Sequence, residues 1–185
     1  HTALCLAKEG ARIVAVADSH GAAFNSKGFD LARLDALKAQ GQAVTDYPGA
    51  DVAGGDTIIS AECDILVPAA RPDVINNSNA AEVKAKLIVE GANIPATVEA
   101  EQALHKRDVL VIPDFIANAG GVICAAVEYR SGTETQAMTT ITEKIGSNTH
   151  EVLKIVNETG VFPRDAARQL AETRLREAKA FRREF

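Results

Sequence analysis

Val109-Leu-Val-Ile-Pro-Asp-Phe-Ile-Ala-Asn118-Ala-Gly-Gly-Val122 runs from a short β-branched stretch, closed by Pro113, through a polar turn into a series of small residues. An apolar run without alternation predicts a strand buried on both faces, as in a parallel sheet. Open α/β sheets bind ligands beyond the carboxyl ends of their strands. Asn118 stands at such an end, with an amide donor and an amide acceptor on one side chain. It is a candidate recognition residue for a ligand bearing an amide or hydroxyl; the alternative is a turn or cap ahead of Gly120-Gly121.

Working outward, strand and helix signals alternate. His1 to Glu9 has helical content and is followed by a C-cap at Gly10, and Arg12-Ile-Val-Ala-Val-Ala17 reads as a strand. Leu31 to Lys38 carries leucines at helical spacing, Asp64 to Pro68 is a short strand, Asn79 to Lys84 a short helix, and Leu87 to Glu90 another strand. Thr97 to Lys106 is predicted helical, while Gly41 to Gly55 lacks periodicity and reads as loop with a short helix. Beyond Asn118 the signals at Gly120 to Tyr129, Met138 to Val156 and Asp165 to Arg183 are all helical. The pattern predicts an α/β fold, a Rossmann-like doubly wound sheet with helices on both faces and a C-terminal helical segment. Residues 1–130 would form the dinucleotide-binding domain. Residues 131–185 would pack on that sheet or on a further domain, showing an apolar face between Met138 and Arg183. A first strand is central in such sheets, so a chain opening on a crossover helix is expected to be truncated at its N-terminus.

The formal net charge is −5, which argues against nucleic acid as a main partner, since phosphate binding needs a basic face. Cys5, Cys63 and Cys124 are odd in number, widely spaced and set among apolar residues. That spacing fits neither a disulfide framework nor a zinc site, and a reducing cytoplasm suits it best. No apolar run reaches the roughly 20 residues of a membrane span.

Four strand ends carry residues suited to a ligand. Asp18 follows the first predicted strand, where an acidic side chain can accept from ribose hydroxyls and repel a 2′-phosphate; Asp18-Ser-His-Gly21 is equally good turn chemistry. Ala69 and Ala70 let backbone approach a ribose or a flat ring, or simply pack tightly. Asn93, after Gly91 and before a Pro95 expected to open the next helix, is either a ligand contact or an N-cap. What favours a ligand is that the predicted topology puts all four positions on one edge of one sheet. A G-x-G-x-x-G phosphate loop is absent, and His1, His20, His105 and His150 have no catalytic neighbours in sequence. The charges from Arg164 to Arg183 interleave with acids and read as a solvated helix face.

The segments Ala17-Asp-Ser-His-Gly21, Asp64-Ile-Leu-Val-Pro-Ala-Ala70, Val89-Glu-Gly-Ala-Asn-Ile-Pro95 and Pro113-Asp-Phe-Ile-Ala-Asn-Ala-Gly-Gly-Val122 resemble the C-terminal cofactor domain of the glutamate/leucine/phenylalanine/valine dehydrogenases, glutamate branch foremost. The resemblance implies oxidative deamination of L-glutamate to 2-oxoglutarate and ammonia with NAD, or NADP, by a homo-oligomeric enzyme. By that resemblance Asp18 binds the adenosine ribose with Ser19 beside it, Ala69 and Ala70 line the cofactor path, and Asn93 and Asn118 hold the nicotinamide end. No catalytic residue falls within the chain, because the family's lysine and aspartate lie on the other domain, and the chain alone is expected to be inactive. Val122 and Ala125 would border the substrate pocket. Glutamate-specific members usually have Ser where Ala125 stands, which keeps a leucine or valine dehydrogenase open, as it does a nucleotide-binding module without chemistry.

Overall fold

The computed structural model describes residues 1–180; positions 181–183 of the expected last helix lie outside the described residues. The chain divides into two compact units, His1–Leu66 with Ala81–Ala85, and Val67–Ala80 with the residues from Lys86 onward. The α/β class stands.

In the first unit, α1 (Thr2–Lys8) leads to a three-stranded antiparallel sheet of β1 (Ala15–Asp18), β2 (Gly21–Phe24) and β3 (Asp51–Ala53). The strand β2 escaped the sequence reading because Gly21-Ala-Ala has no branched side chain to signal it. Two residues, Ser19 and His20, join β1 to β2, and only an antiparallel pair closes over so short a connection. Asp18 therefore ends a hairpin strand, a correction to the single sheet edge expected. A Cβ on Gly21 would stand 2.8 Å from the Ala53 carbonyl oxygen, so this turn requires glycine. The stretch read as loop with a short helix has its helical turn, a 3₁₀ turn at Val44–Asp46, and also supplies β3. Helix α2 (Leu31–Ala39) is capped by Asp30, whose carboxylate accepts from the Arg33 N–H at 3.2 Å. It buries Leu34 and Leu37 with Ala23, Phe29, Val44 and Tyr47. The unit also holds β4 (Ile65–Leu66).

In the second unit, β5 (Leu87–Val89) and β6 (Leu110–Ile112) pair in parallel, Ile88 opposite Val111, and α3 (Val98–His105) crosses between them. The cap of α3 is Thr97, accepting from the Ala100 N–H at 3.2 Å, so Pro95 does not open the helix. The short α4 (Asp114–Ala117) leads to α5 (Gly120–Tyr129), α6 (Glu134–Thr159) and α7 (Pro163–Ala180). A capping box between Thr133 and Gln136 starts α6 before the expected Met138. Pro163 starts α7, a position where its missing N–H has no helical partner to lose. Ile112 and Ile116 pack with Val152 of α6 and Ala166 and Ala167 of α7, so the C-terminal helices share a core with β6.

The same unit holds a buried ionic cluster. The Arg164 guanidinium reaches Glu101 of α3 through Nε and Nη2, Glu90 just past β5 at 2.9 Å, and Asp114 just past β6 at 3.1 Å. Glu90 is fully buried, and among the described residues its Oε1 has no hydrogen-bond partner. Burial, then the charge of Glu101, pushes the Glu90 carboxyl up to about 8, against the pull of Arg164 and the Asp114 N–H. An unfolded chain releases that proton near the ordinary value of 4.5, so across this window the native state holds one proton more. Stability should therefore fall as pH rises from about 4.5 to about 8, by at most about 1.4 kcal/mol per pH unit, and Glu90→Gln should flatten that slope. Thermal unfolding followed across pH 5–9 measures both.

Ile94 is a β-branched residue with φ +48°, in the left-handed region. That conformation costs a non-glycine residue about 1–2 kcal/mol, while glycine loses about 0.5–1 kcal/mol more entropy on folding. Its side chain is mostly exposed and holds little packing. Ile94→Gly should accordingly raise stability by up to about 1 kcal/mol in chemical unfolding, and a loss of more than that would show that the Ile94 side chain matters.

Candidate functional site

Two loops of the second unit are stitched together at the carboxyl side of β5. The Gly91 and Ala92 N–H groups both donate to the Pro68 carbonyl, at 3.1 and 2.9 Å. A Cβ on Gly91 would lie 3.1 Å from that of Ala69, so glycine here permits the approach. Ala69 thus shows the tight packing that its size allowed, while it and Ala70 remain exposed. Asn118, at the end of α4, reaches the same place. Its Nδ2 donates to Asn93 Oδ1 at 2.8 Å and to the Ala92 carbonyl at 3.3 Å. Asn93 is not an N-cap. Among the described residues, Asn93 Nδ2 and Asn118 Oδ1 take part in no hydrogen bond, which leaves one amide donor and one amide acceptor side by side on a partly open surface.

The turn carrying Asn93 is gripped on both sides of Ile94. The Ile94 N–H donates to Asp114 Oδ2 at 2.9 Å, and its carbonyl accepts from the Asp73 N–H at 2.9 Å. Asp114 is held in turn by Arg164, and its N–H donates to Glu90 Oε2 at 2.9 Å. Sequence reasoning missed these supporting residues and placed Arg164 on a solvated face. The signal was present in the carboxylates: Glu90 and Asp114 each follow a buried strand within two residues, where an acid needs a cation.

Asp18 and Ser19 belong to the first unit. Asp18 Oδ1 accepts from the His20 N–H at 2.9 Å, and Oδ2 from Lys38 Nζ at 2.8 Å and the Val44 N–H at 3.0 Å. Burial alone would lift the Asp18 carboxyl, but Lys38 and the two N–H groups hold it down at about 2, so it is ionised at neutral pH. The turn role weighed from sequence is therefore present, reinforced by an ion pair with Lys38. Ser19 Oγ lies 3.3 Å from His20 Nδ1.

Val122 and Ala125 sit on α5, both exposed, Val122 at 78%. That helix buries none of its residues, and Tyr129 near its end is also exposed. Met138 and Leu175 are exposed as well, within the stretch expected to show an apolar face. Of the cysteines, Cys63 and Cys124 are partly buried and Cys5 is exposed. Among the described residues no three His, Cys, Asp or Glu side chains are arranged to hold a metal ion, and no helix is long and apolar enough to cross a membrane.

The chain is similar to known proteins in sequence and in fold. Over 180 residues the chain is 36% identical to the glutamate dehydrogenase of Thermotoga maritima, covering 94% of this chain and 43% of that protein. Over 129 residues it is 43% identical to the NADP-specific glutamate dehydrogenase of Saccharolobus shibatae, covering 69% of this chain and 30% of the relative. In structure it superposes on the leucine-bound hetero-hexameric glutamate dehydrogenase of Thermus thermophilus with a TM-score of 0.81 and 28% identity, over 99% of this chain and 44% of that one. The chain thus spans less than half the length of these relatives. Residues 1–183 match the Glutamate/Leucine/Phenylalanine/Valine dehydrogenase family, and the chain belongs to that family.

Proposed function

We propose that this chain is the cofactor-binding part of an NAD-dependent amino acid dehydrogenase that deaminates L-glutamate to 2-oxoglutarate and ammonia. Residues 1–130 carry the dinucleotide site and residues 131–185 the helices that support it. The observation that carries the reading is the free donor of Asn93 beside the free acceptor of Asn118. A carboxamide offers the complementary acceptor and donor, and the nicotinamide ring of NAD bears one. Ala69 and Ala70 present no side chain that would obstruct a flat ring, and Asp18 supplies an ionised acceptor for the adenosine ribose with Ser19 next to it.

NAD, when bound, accepts the hydride that leaves the substrate Cα. This chain's contribution is orientation: Asn93 and Asn118 fix the ring by its carboxamide, so one face meets the substrate. No proton-transfer residue is assigned here. Turnover belongs to the longer enzyme, a homo-oligomer in this reading, in which the missing acid–base groups come from the substrate domain. Val122 and Ala125 border the substrate. Ala125 favours a second reading, a leucine or valine dehydrogenase, because a methyl group cannot donate to a side-chain carboxylate. The glutamate dehydrogenases among the relatives support the first.

Asn118→Ala removes the acceptor and should weaken NAD binding about tenfold, the equivalent of one hydrogen bond, while leaving ADP-ribose, which lacks the nicotinamide, unaffected. Titration of both ligands against the wild-type and variant chains decides it; an equal loss for both would remove the nicotinamide reading. A carboxylate at Asp18 faces the 2′-phosphate of NADP, so the wild type should prefer NAD and Asp18→Ser should shift the ratio of affinities towards NADP. An unchanged ratio would leave Asp18 as a turn residue paired with Lys38, with discrimination passing to Ser19 or His20.

A further inference from the structure

The ionic cluster in the second unit is larger than a staple between helices requires. Glu101 alone engages Nε and Nη2 of Arg164, which is enough to tie α7 to α3. Glu90 and Asp114 nevertheless converge on the same guanidinium, three buried or nearly buried carboxylates on one cation, with the Phe115 ring 5.5 Å from its centre. Each added carboxylate also accepts from a backbone N–H. Glu90 Oε2 accepts from the Asp114 N–H, which fixes the start of α4, and Asp114 Oδ2 accepts from the N–H of the strained Ile94. Ile94 follows Asn93, and Asn118 ends the helix that Asp114 begins. The cluster therefore grips both elements that carry the asparagine pair, and grips one of them at its least favourable backbone conformation.

We propose that Arg164 is a positioning residue for the Asn93–Asn118 pair: by holding Asp114 against Ile94 it keeps the turn at Asn93 in the left-handed form that brings the two side-chain amides together. Arg164 touches neither asparagine. It acts at one remove, and it acts on nicotinamide binding only in so far as the pair binds nicotinamide, as proposed above. A guanidinium suits the task because its planar fork of five N–H donors holds Glu101 through two nitrogens while still reaching Glu90 and Asp114, one bond more than the three donors of an ammonium supply. The strain at Ile94 is what makes the clamp necessary, since a left-handed isoleucine persists only where its surroundings over-determine it.

The test uses the 185-residue chain with Arg164→Met and Arg164→Lys, each alone and combined with Ile94→Gly. Two quantities are read: hydrogen exchange of the Asn118 side-chain amide by NMR, and the affinity for NAD relative to ADP-ribose. Folding is monitored by circular dichroism and by exchange at the Leu110 amide in β6. In Arg164→Met, Asn118 side-chain exchange should quicken about tenfold and the preference for NAD over ADP-ribose should fall by a similar factor, with Leu110 still protected. Arg164→Lys, which keeps the charge, should move both in the same direction by less and covers the case in which the methionine variant does not fold. Adding Ile94→Gly removes the strain and should return both readouts most of the way, an effect that a purely structural arginine would not show. Unchanged exchange in a folded Arg164 variant, or equal losses for NAD and ADP-ribose without rescue by Ile94→Gly, would overturn the assignment. If the wild type shows no preference for NAD over ADP-ribose, the nicotinamide reading fails, and the exchange data still decide whether Arg164 positions the pair.

Discussion

Three carboxylates on one buried guanidinium set the terms for the second unit. A buried acid must be paired or neutral, and Arg164 can balance only one of the three charges. The excess is relieved by a proton on Glu90 and by backbone N–H groups from the Asp114 and Ile94 positions. Those N–H groups belong to the segments that follow β5 and β6. Charge balance in the interior and the shape of the Asn93 turn are therefore one problem with one solution. The ends of two parallel strands are held by the same ionic lattice that holds the start of α7.

From that lattice the site follows with few further assumptions. Gly91 lets the Asn93 turn pass close to Ala69, and the Pro68 carbonyl ties the two loops through two hydrogen bonds. Asn118 closes the arrangement by donating to Asn93 and Ala92, and among the described residues each asparagine keeps one amide atom outside any hydrogen bond. Neutral amides would suit the proposed nicotinamide, because a charged side chain would impose its own proton equilibrium on a group that needs orientation only. The first unit offers a different chemistry. Asp18 is charged, ordered by Lys38, and set in a tight hairpin turn, so its carboxylate is presented in a fixed position.

Much of this was legible from the residues, and the rest was not for identifiable reasons. The strand before Pro113, the helix after Gly120 and the roles open to Asn93 and Asn118 follow from hydrophobic runs, small residues and strand-end placement. The hairpin strand Gly21–Phe24 is invisible to such reading, because alanines carry no periodic signal and their burial comes from what packs on them. Helix starts slipped by a few residues where Thr97 and Thr133 capped in place of the positions expected. Arg164 was misplaced because its charge was counted with those of its helix neighbours, whereas its partners lie 50 to 74 residues away in the chain. Long-range electrostatic pairing of that kind leaves no local pattern.

The central claim, that the Asn93–Asn118 pair receives a nicotinamide carboxamide, is tested most directly by a crystal structure of this chain with NAD. The account predicts the carboxamide oxygen within hydrogen-bond distance of Asn93 Nδ2 and its nitrogen within the same distance of Asn118 Oδ1, the ring lying over Ala69 and Ala70. A nicotinamide ordered elsewhere, with both asparagines left as they stand without ligand, would contradict it.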